Sequence, residues 1–219
     1  MLRAIMSGNI SINMVIIWIV SIVLALSVHE FSHGFAAYRL GDMTAKRDGR
    51  ISVNPLRHID PMGFILILIA GFGWAKPVMV NPYNLRNPKQ DMTIISIAGP
   101  ASNFIFGFVA LFAARIVFHF ATYSTVTFFM WEFFTFLFSI NIGLGIFNML
   151  PIPPLDGSKF LAFFLPERIA FSLLHFPYGF ILIIVLVFSG AVQFILGPVV
   201  DAVASGYVFV IDGILTLFM

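Results

Sequence analysis

The sequence predicts an all-α polytopic membrane protein with about five transmembrane helices plus a membrane-dipping, β-hairpin-like segment. Two observations of composition and one of pattern lead there. Of the 219 residues, 60% are hydrophobic and only 10% charged, against about 25% charged in soluble domains. Mean hydropathy is +1.00. Four uncharged runs, Ala4–Val28, Met92–Ala114, Phe133–Leu155 and Ile169–Val200, each reach the roughly 20 residues a bilayer-spanning helix needs. A formal net charge of +2 supplies no basic surface for nucleic acid, and there is no heptad seam. With zero cysteines there is no disulfide framework, thiolate metal site or thiol nucleophile, so His, Asp or Glu must hold any metal.

The first span is expected over about Ile12–Leu40, stopped at Gly41-Asp42. Its apolar run is too long for the core of a cleaved signal peptide, so the segment is expected to remain. Eight of the twelve Lys and Arg residues then fall between Arg39 and Lys89. Within that stretch Pro61–Ala75 is uncharged but only fifteen residues long, which suits a segment that dips into the membrane and returns. Trp74–Val80 reads as a short extended segment, with Pro77 confining it to a sheet edge, and a hairpin is expected here.

The second span, about Met92–Phe118, carries Gly99, Asn103, Gly107, Ala110 and Ala114 on one face, where small side chains let helices approach closely. Asn103 stands apart, because a carboxamide inside lipid needs a partner. A third span, Thr127–Asn148, breaks at Pro151-Ile152-Pro153-Pro154, and a short helix restarts near Asp156 and ends before Pro166. The fourth falls near Tyr178–Leu196, Gly197-Pro198 makes a turn, and the fifth covers Val199–Phe218. Cations cluster between spans one and two, with Lys159 and Arg168 between three and four, whereas Arg115 alone borders the loop between two and three. The positive-inside rule makes those clusters cytoplasmic, so five spans put the N-terminus outside and the C-terminus in the cytoplasm.

The chemistry starts at His29-Glu30-Phe31-Ser32-His33, which is H-E-x-x-H on a helix. A spacing of four puts both imidazoles on one face, about 6 Å apart along the axis, so both can reach one Zn²⁺. The glutamate between them is placed to take a proton from bound water. Catalytic zinc has three protein ligands as a rule, so one more donor is needed. His119 and Glu132 fall at the outer ends of their helices, on the wrong side. Asp201 and Asp212 form a polar stripe with Ser205, readable either as interhelical hydrogen-bonding groups or as functional ones. Asp156 fits better, because it follows the break at the cytoplasmic end of the third span, level with His29 and His33. A carboxylate there completes a His₂-carboxylate set.

These elements resemble the site-2 protease family of intramembrane zinc metalloproteases, which pairs H-E-x-x-H with a later N-x-x-P-x-P-x-x-D-G element. The second element reads Asn148-Met149-Leu150-Pro151-Ile152-Pro153-Pro154-Leu155-Asp156-Gly157. Ala98-Gly99-Pro100-Ala101-Ser102-Asn103 and Gly73-Trp74-Ala75-Lys76-Pro77-Val78 also look like landmarks of that family, in the expected order. The resemblance spans roughly residues 12–165 and implies one zinc ion held by His29, His33 and Asp156, with Glu30 as general base. It further implies that Asn148 hydrogen-bonds the substrate backbone. Larger members carry a PDZ or CBS module that is not seen here, which leaves regulation to a membrane partner.

The expected substrate is a transmembrane protein whose helix must be locally unwound, since its carbonyls are otherwise held in its own hydrogen bonds. Trp74, Val78, Met79 and Val80 are expected to receive it as an added strand, and Asn103 is counted with the substrate-binding residues. The whole chain, residues 1–219, is then a single integral membrane metalloprotease domain, with the active site near the cytoplasmic side of the lipid bilayer. Two other readings of the same residues are a membrane metal transporter, which has no evident use for Glu30, and a non-catalytic binder of membrane segments.

Overall fold

The computed structural model describes residues 11–70 and 73–217. The beginning of the first uncharged run, two residues of the expected dipping segment and the end of the last expected span lie outside the described residues. Among the described residues the α-helices are α1 (Ile12–Arg39), α2 (Thr44–Arg47), α3 (Pro61–Ala70), α4 (Pro88–Phe120), α5 (Thr125–Asn148), α6 (Asp156–Phe164), α7 (Glu167–Leu174), α8 (Gly179–Phe188) and α9 (Ala191–Leu215).

Local chemistry sets the boundaries. Ser11 caps α1 by accepting a hydrogen bond from Met14 N. Pro88 opens α4 at a position whose N–H would have no helical partner, and the Asp91 carboxylate reaches back to Asn87 N at 2.9 Å. Ser124 and Thr127 form a reciprocal capping box at the start of α5.

Four helices, α1, α4, α5 and α9, are long and apolar enough to cross a membrane. Their packed interior is a cluster of Ala110, Leu111, Leu137, Phe138, Ile142, Ile146, Leu196, Ile211 and Leu215 joining α4, α5 and α9. Outward faces keep large apolar side chains exposed, such as Ile105 at 67% and Val109 at 54%, as lipid-facing surfaces do. Ile16 and Val20 of α1 share a cavity with Val126 and Phe133 of α5, so α1 begins where α5 begins. Arg115, near the end of α4, holds Asp212, near the end of α9, through Nε–Oδ1 at 2.8 Å and a second guanidinium contact. Ile12 and Leu215 therefore lie at the same end of the bundle, and the end of α1 lies at the other.

Against the five spans expected there are four such helices among the described residues, or five if the bent pair α7 and α8 counts as one span. The predicted turn at Gly197-Pro198 is not there, because α9 runs through Pro198. The chain turns instead at Gly190, whose φ of +78° is the left-handed conformation glycine adopts without a Cβ penalty. α8 is left with ten residues, about 15 Å of rise against a hydrocarbon core of about 30 Å, and it is bent by 61° from α7. α7 and α8 thus form a bent pair and not one straight spanning helix.

The expected hairpin is also corrected. Among the described residues no strand forms, and a single antiparallel bridge joins Ile59 to Ala75, with Lys76 N donating to His58 O at 2.8 Å. The next N–H facing the same side, that of Val78, is bonded to a side chain instead. Pro61–Ala70 folds as α3, with Asp60 Oδ1 accepting from Gly63 N at 2.9 Å. Its ten residues take up only part of the fifteen-residue uncharged stretch Pro61–Ala75.

Candidate metal centre

At the end of the bundle opposite Ile12, α1 and α6 bring three donors to one point, against α4. His29 and His33 stand one turn apart on α1, and the break after Asn148 turns the chain back so that Asp156 opens α6 beside them. His29 Nε2 lies 3.2 Å and His33 Nε2 3.1 Å from Asp156 Oδ2. The two Nε2 atoms are 3.0 Å apart. All three residues are buried.

This triangle fits zinc. Tetrahedral Zn²⁺ with bonds near 2.0–2.1 Å spaces its donors about 3.3 Å apart, close to the observed edges. The remaining imidazole nitrogens support the same fit. His29 Nδ1 lies 2.6 Å from Asn103 Oδ1 and His33 Nδ1 lies 2.7 Å from Ile95 O. Both oxygens only accept, so each Nδ1 carries the hydrogen and each Nε2 turns a lone pair inward. Two neutral imidazoles and one carboxylate suit a divalent ion.

Glu30 is held beside the triangle, its Oε2 accepting from the Val78 backbone N–H at 3.0 Å. The extended residues 73–81 thus cross over the end of α1 as a strap. The strap is tied in front by the Ile59–Ala75 bridge and behind by Asp42. The fully buried Asp42 carboxylate accepts from Asn81 N (2.7 Å), Asn84 Nδ2 (2.8 Å), Thr44 Oγ1 (2.6 Å) and Thr44 N (3.1 Å). Burial pushes the Asp42 pKa up, but these hydrogen bonds outweigh it and hold the carboxyl below its ordinary value.

The other residues read from the sequence are distributed as follows. Trp74 stacks edge-to-face on Phe180, Met79 is 62% exposed, and Val80 packs against the buried cluster of Ala37, Leu85 and Ile95. Asn148 bonds its own helix, donating to Leu144 O at 3.0 Å. Asn103, counted above with the substrate contacts, is fully buried beneath His29. Asp212 is paired with Arg115, and Asp201 is exposed along a cavity between α1, α3, α5, α8 and α9. Neither aspartate belongs to the triangle.

Two neighbours of the triangle escaped the sequence reading. Lys159, one turn after Asp156, places Nζ 3.2 Å from Asp156 Oδ1, leaving Oδ2 to face the histidines. Gly99 lies against both imidazoles: a Cβ there would sit 2.6 Å from His33 Cε1 and 2.7 Å from His29 Cε1. Its place in the small-residue stripe signalled close approach without saying to what.

Fold and donor set together define a helical membrane protein with a zinc-peptidase type of centre. The sequence matches the family described as Peptidase family M50 over residues 17–187, and the chain belongs to that family, the site-2 proteases. It is 36% identical to YwhC of Bacillus subtilis (strain 168) over 190 residues, covering 84% of this chain and 85% of that one. It is 31% identical to MJ0611 of Methanocaldococcus jannaschii over 156 residues, 70% of this chain and 73% of that protein. With Rip2 of Mycolicibacterium smegmatis it shares 28% identity over 176 residues, 78% and 66% of the two chains. All three are named "Putative zinc metalloprotease". No solved structure gives a significant match. The family makes this chain a zinc metalloprotease in a multi-pass membrane protein.

Proposed function

We propose that the chain, acting as one domain over residues 1–219, is an intramembrane endopeptidase that cuts transmembrane protein substrates. The single observation that carries the reading is the buried triangle of His29, His33 and Asp156 with the Glu30 carboxylate beside it. His29, His33 and Asp156 hold the zinc ion, which when bound supplies Lewis-acid polarisation at that point. Glu30 keeps one oxygen on the Val78 N–H and uses the other to take a proton from the attacking water. It then delivers that proton to the amine nitrogen that leaves when the peptide C–N bond breaks.

The strap supplies backbone to an unwound substrate. The Val78 N–H is engaged by Glu30, so the exposed face around Met79, with Trp74 at one end and Val80 at the other, is where an extended segment would be received. Asn148 satisfies a further substrate amide by exchanging its bond to Leu144 O. A cavity of about 560 Å³ that reaches Leu26, Gly73, Leu144 and Phe147 gives a membrane segment room beside the site.

The cations from Arg39 to Lys89, with Lys159 and Arg168, belong to the metal-bearing end of the bundle, whereas Arg115 sits at the opposite end. That asymmetry makes the metal end cytoplasmic, and the described ends Ile12 and Leu215 then face outside. A separate membrane protein partner regulates access. The test is co-expression with a panel of tagged single-pass membrane proteins, comparing the parent with Glu30→Gln. Cleavage by the parent alone is expected. No cleaved substrate, or equal cleavage by both, would sink the reading.

A further inference from the structure

We infer that Asn141 is a positioning residue of the metal centre: acting through Asn103, it fixes which nitrogen of His29 carries the hydrogen. This rests on the reading of His29 as a zinc ligand. Asn141 touches none of the three donors, yet both asparagines are fully buried, deep in a bundle where a misdirected carboxamide has no water to correct it.

The direction of each amide follows from its neighbours. Asn141 Nδ2 donates to Leu137 O at 2.8 Å. A carbonyl only accepts, so Asn141 must turn its nitrogen toward its own helix and its oxygen outward. That oxygen accepts from Asn103 Nδ2 at 2.8 Å, and the same nitrogen donates to Ala25 O at 3.2 Å. Asn103 therefore has both N–H groups engaged, and its Oδ1 is the atom left facing His29 Nδ1 at 2.6 Å. Flipping Asn103 would set its nitrogen against the Nδ1 hydrogen of His29 and oppose its oxygen to two acceptors.

The two imidazoles are thus oriented by different means. His33 leans on a single backbone carbonyl, Ile95 O, which no side-chain substitution removes. His29 depends on a side-chain relay through α1, α4 and α5 that ends at Leu137, itself 3% exposed. Zinc ligation by one histidine is therefore sensitive to a residue on a helix that supplies no ligand, and ligation by the other is not.

Two measurements test this on the full chain in detergent. In zinc-free protein, nitrogen-15 NMR of the histidine rings should find the hydrogen of His29 on Nδ1 in the parent and partly on Nε2 in Asn141→Ala. Chelator competition should find zinc affinity lowered about tenfold in Asn141→Ala, the lower end of the 10–100-fold range for groups that orient ligands. Because Asn141 acts through Asn103, its effect should vanish in an Asn103→Leu background. Parent-like affinity with an unchanged His29 tautomer, or the same tenfold loss in the Asn103→Leu background, would overturn the proposal. Should Asn141→Ala fail to fold, the same measurements on Asn141→Thr decide. A parent that binds no zinc but holds the Nδ1 hydrogen would defeat the ligand reading and leave the relay intact.

Discussion

At one end of the bundle, side chains from α1 and α6 converge on a single point, held by groups of α4, under a strap tied by Asp42. At the other end, α4 and α9 are joined by one ion pair, Arg115–Asp212, whose side chains are 26% and 35% exposed. The first end is a chain of dependencies, in which each group that could touch substrate is oriented by another. The second is a fastening. Substitutions at the metal end should therefore separate zinc binding, proton transfer and strap placement, whereas those at the far end should move stability alone.

The largest effect is expected within the metal end itself. Glutamine is nearly isosteric with Glu30 and can still accept from the Val78 N–H, but it cannot take a proton. Glu30→Gln should keep zinc and lose cleavage by about 10²–10⁴-fold. His29→Ala or Asp156→Asn should lose zinc as well. Metal analysis of the purified variants checks this, and zinc-free Glu30→Gln would show that the base and the ligands are not separable.

Next in size is Gly99→Ala. The added methyl meets both imidazoles, and neither can retreat without leaving its Nδ1 acceptor. A zinc affinity lowered by about 10–100-fold is expected, with an overpacking cost of about 1–3 kcal/mol. Equal zinc affinity in this variant and the parent would mean that the helices separate easily, contrary to a tightly dependent end.

The strap gives a smaller effect. Asp42→Asn keeps acceptors for some of the four donors and opposes its own amide to the others, so the strap should shift and turnover fall several-fold with zinc retained. The pH dependence has a definite sign. A carboxyl held below its ordinary value of 3.8 adds stability that is fully present above that value and is lost as pH falls through the lower folded one. Thermal unfolding from pH 3 to 7 should show the parent losing this increment only at the acid end and Asp42→Asn lacking it throughout.

How much of this was legible in the sequence depends on whether the information was local. Spacing on one helix put His29, Glu30 and His33 together, and the proline break before Asp156 returned a carboxylate to them. The Asn103–His29 contact links residues 74 apart in sequence and has no local signature beyond an asparagine in an apolar run. The turn was misplaced for a related reason. Gly197-Pro198 is a strong local breaker, but proline is tolerated in a membrane helix whose neighbours can satisfy the freed carbonyl, and Gly190 supplied the positive φ instead. The hairpin failed because the N–H that would have continued its ladder went to Glu30, a demand set by the site.

The smallest effect on chemistry belongs to the far end. Removing one partner of Arg115–Asp212 leaves a cation near the end of α4, but partial exposure lets water and lipid headgroups take up much of the lost interaction, so the cost should be about 1 kcal/mol. Asp212→Asn retains one hydrogen bond to the guanidinium and should lose less than Asp212→Leu. Because α9 supplies no donor to the triangle, zinc affinity, the tautomer of His29 and turnover per zinc-loaded molecule should all stay at the parental level. Thermal unfolding in detergent and chelator competition on the same preparations make the comparison direct. A matched fall in zinc affinity would show that the two ends are coupled through the α4–α5–α9 core, and the division between dependent site and simple fastening would have to be abandoned.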